Sequence, residues 1–155
     1  NPPALGFLMR PVSVERHTYN NIKETGSFTI NHINKEIYKQ AHQTSARYDK
    51  DISEFDACGL TAKYSKTISA PYVKQSIVKI GLNYIEEYEI KYNGTIFIIG
   101  EIAEIILPED IIGKDGFINI EDAGTIAISG LDSYHGTKRM SRLSYAKPGV
   151  EPDEI

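Results

Sequence analysis

Arg16, His17 and Thr18 are the residues whose types and spacing carry most chemistry, at the head of the stretch RHTYNNIKETGSFTIN. Thr18 is suited to cap a helix, because its hydroxyl accepts from an unpaired N–H of the next turn. Gly26 stops that helix after Lys23. Free N–H groups and the positive end of the helix dipole together favour an anion. An arginine beside them adds a planar fork that binds phosphate at two points. The grouping reads as a phosphate seat, or as an ordinary capped helix beside a solvated arginine.

Two other places could touch a ligand. The run Gln43-Thr44-Ser45-Ala46 leaves a helix in small polar residues, which either end the helix or meet a ligand's edge. The loop Gly130–Gly136 places Tyr134 and His135 between flexible glycines. It either closes over a planar ligand or packs its tyrosine on the fold. The histidines at 17, 32, 42 and 135 show no metal-binding spacing. Cys58 stands alone and reads as a small core residue, with no disulfide framework. No nucleophile–base pair and no paired catalytic carboxylates stand out. An enzyme built this way borrows its chemistry from a cofactor.

In order and spacing, NPPALGFLMRP, RHT, NNI, ETGSFTIN and SARYDKDISEFDACGLT resemble the flavin reductase-like, FMN-binding split-barrel family. LDSY and RLSYAKP are similar to one branch of it. The resemblance implies a mainly-β barrel with short helices, and FMN at the interface of a homodimer. It also implies NADH or NADPH as hydride donor. Carried over by position, Arg16, Thr18 and Asn21 would surround the phosphate or ribityl chain, with Ser45 and Ala46 near the ring or its edge. Asn31 would hydrogen-bond the flavin or tie down a neighbouring loop, and Tyr134 and His135 would face the nicotinamide. In that family a strand and a Ser/Thr-rich loop precede the point where this chain starts, so a longer protein lacking that part here is expected.

The 155 residues suit one domain, read as 1–147 with an acidic, proline-containing tail over 148–155. A net charge of −4 leaves no electrostatic footprint for nucleic acid. No apolar run is long enough for a bilayer helix, and no signal peptide is visible, so a cytoplasmic address with no membrane partner is expected.

Ala4–Met9 reads as a buried strand, Ser27–Ile33 as a half-buried one, and 34–44 as a helix capped by Asn34. Short helical turns over 53–59, then strands over 60–64, 117–120 and 125–129, follow from local signals. The centre of the second half is a hairpin of Ile77–Tyr92 and Thr95–Leu107 about Asn93-Gly94. A two-residue turn pairs Tyr88 with Ile99, Tyr84 with Ala103 and Leu82 with Ile105, and sets Glu86 opposite Glu101. Such like charges call for a bulge near Glu86-Glu87. The second strand is apolar on both faces, which suggests a closed or nearly closed barrel with this strand near a dimer interface.

The functional expectation is an FMN-dependent oxidoreductase passing hydride or electrons between a nicotinamide cofactor and flavin or a downstream acceptor. The alternatives are a non-catalytic FMN-binding or electron-transfer protein, and a barrel that has lost flavin and serves in protein interaction.

Overall fold

The computed structural model describes residues 1–155. Its frame is one antiparallel sheet of four strands in the order β1 (Ala4–Met9), β6 (Thr95–Ile106), β5 (Lys79–Ile90), β2 (Ser27–Asn31). Helix α1 (His17–Thr25) joins β1 to β2; α2 (Tyr38–Gln43) and α3 (Glu54–Ala57) follow. Two short ladders complete it, β3 (Ala62–Lys63) with β4 (Tyr72–Val73), and β7 (Ile126–Ser129) with β8 (Ser133–Gly136). The molecule is mainly strand with three helices, as expected, but no backbone ladder joins β1 to β2 within the chain. β1 is an edge strand with Leu5 and Leu8 exposed, rather than a buried one.

The β5–β6 hairpin departs from the expected register because its turn holds four residues, with Ile90 paired to Thr95. A two-residue turn of the mirror type needs positive φ at both central residues. Only Gly94 adopts it, at φ 70°, while Asn93 does not. The Asn93 Oδ1 instead accepts from the Thr95 N–H (3.1 Å) and hydroxyl (2.7 Å), and the Ile90 carbonyl accepts from the Gly94 N–H (2.8 Å). Tyr88 therefore faces Phe97, Glu86 faces Ile99, and Glu101 faces Asn83, which removes the opposed carboxylates. A register shift between Tyr84 and Glu86 lies next to the expected bulge, and a second falls between Gly81 and Leu82. They bring Tyr84 to Gly100 and Leu82 to Ile102.

The main core lies between this sheet and α1. Ile22, Phe28, Leu82, Ile96 and Ile98 are buried there, with Phe7, Met9 and Ile80 against them. Cys58 is buried beside Ile37 and Leu60 in a smaller cluster. Asn34 forms a side-chain turn to the Glu36 N–H (3.0 Å), so the helix after it begins only at Tyr38. The residues read as a tail fold back on the preceding segment through bridges Lys147–Val150 and Leu143–Glu154. The 130–136 loop is the β7–β8 hairpin, turned at Gly130 with φ 62°.

The segment from Ser65 to Val73 covers the second face of the sheet near Gly81. Tyr72, fully buried, donates to Glu104 Oε1 at 2.7 Å, and the Ser65 hydroxyl donates to the same oxygen. Burial pushes the Glu104 carboxyl up, but the bonds from Ser65, Tyr72 and Thr67 outweigh it and hold it below the usual range. Burial, then the hydrogen bond to Glu104, pushes the Tyr72 phenol well above its ordinary value.

A Cβ at Gly81 would overlap the Tyr72 hydroxyl and the Ile68 side chain. Gly81→Ala is expected to destabilise the fold by about 1–3 kcal/mol, read by urea unfolding, and an unchanged midpoint would contradict this packing. A carboxyl whose folded pKa is depressed contributes stability above its unfolded pKa and loses it as pH falls. Glu104→Gln should therefore lower the melting temperature at neutral pH and narrow its gap from wild type on acidification below the usual carboxylate pKa.

Candidate functional site

The position of α1 is set by contacts of its outer turns with β5. Ile22 is its only buried residue, so one apolar anchor holds the helix down. Polar contacts add to it. The Tyr19 hydroxyl donates to Glu87 Oε1 at 2.7 Å, and Lys23 Nζ donates to the Tyr84 hydroxyl at 2.8 Å while lying 3.4 Å from Glu87 Oε2. Burial pushes the Glu87 carboxyl up, but hydrogen bonds from Tyr19 and Tyr84 and the charge of Lys23 leave it below the usual range. The hydrogen bond to Glu87 in turn raises the Tyr19 phenol.

So held, α1 starts two residues earlier than a Thr18 cap would require. Arg16 is the N-cap residue, with φ −124° and ψ 103°, and no side chain caps the end. The first helical bond runs from the Asn20 N–H to the Arg16 carbonyl at 3.1 Å, so the N–H groups of His17, Thr18 and Tyr19 precede it. Uncapped donors of this kind suit an external anion better than a capped turn would. Arg16 Nε reaches the Pro11 carbonyl at 3.5 Å, which steadies the guanidinium beside the helix end.

This end opens on a cavity of about 550 Å³. Arg16, His17 and Thr18 form one side; Thr44, Ser45 and Ala46 form the other, with Arg47 and Tyr48 continuing it. Four of the expected residues, Arg16, Thr18, Ser45 and Ala46, thus meet in one place. The wall carries the cations Arg10, Arg16, Arg47 and Lys50 and the carboxylates Glu15, Asp49 and Glu54. The Thr44 hydroxyl donates to the Ala41 carbonyl and the Ser45 hydroxyl to the His42 carbonyl, both at 2.7 Å. These two residues therefore end α2 and line the cavity at once.

Four expected residues lie elsewhere. Asn21 lines an adjoining cavity of about 410 Å³, which shares His17, Lys50 and Glu54 with the first. Asn31 accepts from the Val73 N–H and donates to the Thr29 hydroxyl, both at 3.0 Å, and so ties β4 to β2. Tyr134 packs on α2, with its hydroxyl 2.9 Å from His42 Nδ1 and its ring 5.4 Å from that of Tyr38. His135 bonds Ser129 within its own hairpin at 2.8 Å. Neither Tyr134 nor His135 lines the cleft, because the loop that carries them is a strand pair facing α2. Sequence reasoning missed Arg47, Tyr48 and Lys50, whose one signal was a charged run directly after Ser45.

No helix is long and apolar enough to cross a membrane, and no group of three or more His, Cys, Asp or Glu side chains is placed to hold a metal ion.

Comparison with known proteins places this geometry in a family. Residues 1–129 match the flavin reductase like domain. A protein of Shewanella frigidimarina NCIMB 400, assigned as a flavin reductase with a split barrel domain, is 49% identical with a TM-score of 0.89, over 94% of this chain and 72% of that one. The flavoredoxin of Desulfovibrio vulgaris (Miyazaki F) shares the fold at 24% identity and a TM-score of 0.76, over 96% of this chain and 75% of that one. An uncharacterized protein of Methanothermobacter thermautotrophicus is 29% identical over 114 residues, 72% of this chain, which spans 54% of that relative's length. The chain therefore belongs to the flavin reductase like family and carries its split-barrel fold.

Proposed function

We propose that the chain is the FMN-binding part of an oxidoreductase in which a nicotinamide dinucleotide is the electron donor. The observation that carries the reading is the meeting of Arg16, the uncapped start of α1 and the 44–48 segment around one cavity. The donor set fits the group. Phosphate is met by the guanidinium and by backbone N–H groups with favourable dipole polarity. The peptide edge and small side chains at Ser45 and Ala46 leave room for a planar ring. Flavin, when bound, supplies the redox chemistry that none of these side chains supplies. The protein's part is to bind it, to orient it and to keep its phosphate fixed.

The same reading includes a second copy of the chain. Leu8, Phe97 and Tyr88 form one cross-strand row on the face of the sheet away from α1, and Leu8 is 63% and Tyr88 54% exposed. A face of this kind is covered in a stable assembly, which buries roughly 1,200 Å² or more. Light scattering should give the mass of two chains, and Tyr88→Glu should lower it to one. A wild-type monomer at micromolar concentration would remove the second copy from the proposal.

Hydrogen bonds to charged groups contribute about 1.5–3 kcal/mol each, and about 1.4 kcal/mol is a factor of ten in affinity. Arg16→Ala should thus weaken FMN by roughly ten- to a hundred-fold and leave riboflavin, which has no phosphate, nearly unaffected. Equal losses for the two flavins would make Arg16 a scaffold residue, and an unchanged FMN affinity would remove it from the site.

A further inference from the structure

A further cavity, of about 330 Å³, shares no wall residue with the flavin cleft or with the cavity adjoining it. We infer that it binds a small aromatic monocarboxylate, a compound of one flat ring carrying one carboxylate. The inference does not depend on the flavin reading. Ligand pockets usually span about 300–1,000 Å³, so this one suits a single ring rather than a nucleotide.

Two segments line it, 117–121 before β7 and 137–142 after β8. The first is anchored by Ile118, which packs on the buried cluster of Val78, Ile111 and Ala123. Its Asn119 N–H also donates to the Ile111 carbonyl at 2.8 Å. The other segment is tied down by the Thr137 hydroxyl, which donates to the Thr125 carbonyl at 2.7 Å, and by the Arg139 N–H, which donates to Glu121. Arg142 pairs with Asp115, and its guanidinium lies 4.0 Å from the centre of the Phe117 ring. Asp115 also accepts from the Phe117 N–H at 3.2 Å, so one carboxylate holds both ring and guanidinium. The Arg142 hydrogen bond in turn keeps the Asp115 carboxyl below its usual range. The stack is built before any ligand arrives.

What the walls leave over is positive charge. The Lys138 and Arg139 side chains enter neither of the protein's two ion pairs, and Arg139 lies 5.6 Å from the Phe117 ring. Lys138, Arg139 and Arg142 thus line one cavity of a chain whose net charge is −4. Cations gathered in this way repel one another unless an anion joins them. Glu121 in the wall and Asp115 beside Arg142 offset two of the three charges and leave one. A monoanion balances it, and a dianion overshoots. An arginine fork matches a carboxylate at two points, and a guanidinium also stacks on a flat ring. Phe117, Ile120 and the arginine stems supply apolar surface for the rest of the ligand. One ring with one carboxylate satisfies both the charge and the apolar wall.

The test is a titration with benzoate, followed by ligand-observed NMR, on the protein with and without FMN. Benzamide, which lacks the charge, and cyclohexanecarboxylate, which lacks the flat face, are the controls. Benzoate should bind saturably, with benzamide roughly ten-fold weaker or worse and cyclohexanecarboxylate weaker by about three-fold or more. Phenyl phosphate, a dianion, should bind no more tightly than benzoate. Lys138→Gln combined with Arg139→Gln changes only exposed side chains, so the fold has little to lose. This variant should weaken benzoate by roughly ten-fold or more and leave the melting temperature and FMN affinity unchanged. No saturable benzoate binding, an unaltered affinity in the double variant, equal affinity for either control, or tighter binding of phenyl phosphate would overturn the inference. Displacement of benzoate by FMN would overturn it too, and would move the flavin phosphate from Arg16 to this cluster. Benzoate binding to a protein that fails to take up FMN would sink the flavin proposal and leave this site standing.

Discussion

The seating of α1 on the sheet is the constraint on which the site depends. A nine-residue helix with one buried side chain has little apolar area to fix its direction. The Tyr19–Glu87 and Lys23–Tyr84 contacts add direction, since they fall one turn apart on the helix and three residues apart on β5. Ion pairs in partly exposed positions contribute little to stability by themselves. Their value here is geometric: they set where the first turn of α1 points, and so where its unpaired N–H groups lie.

The sheet carries this constraint outward. The register shift between Tyr84 and Glu86 separates Tyr84 from Glu87 by an extra residue and turns both towards α1. Without it, the side chains would alternate differently and one contact would be lost. On the opposite face, Glu104 holds the 65–73 segment through Tyr72 and Ser65. That segment supplies Pro71 to the cavity adjoining the cleft and follows Tyr64, which lines the same cavity.

Much of the fold was legible because its signals are local. Gly26 ends α1 with φ 67°, and the strand expected over Ser27–Ile33 is present as β2, ending at Asn31 with Ser27 and Phe28 both buried. Arg16 and Thr18, singled out by residue type and position, both line the cavity although Thr18 is not the cap. The hairpin was found from Asn93-Gly94, but its register was not, because the turn type depends on the φ of Asn93 and its side-chain bonds. That Tyr134 and His135 lie outside the α1 cavity has a non-local reason. Where a Gly-flanked hairpin sends its tyrosine depends on what the hairpin packs against, here His42 of α2 some ninety residues earlier. The sharing of a wall by two cavities has no sequence signal at all, since it joins α1 to residues 50–54 only in three dimensions.

The most direct measurement of the central claim is a crystal structure of this protein with FMN. The phosphate is expected within hydrogen-bond distance of the Arg16 guanidinium and of the backbone N–H groups that open α1, with the ring towards Ser45 and Ala46. A phosphate held elsewhere, such as among Lys138, Arg139 and Arg142, with the start of α1 left to solvent, would contradict it.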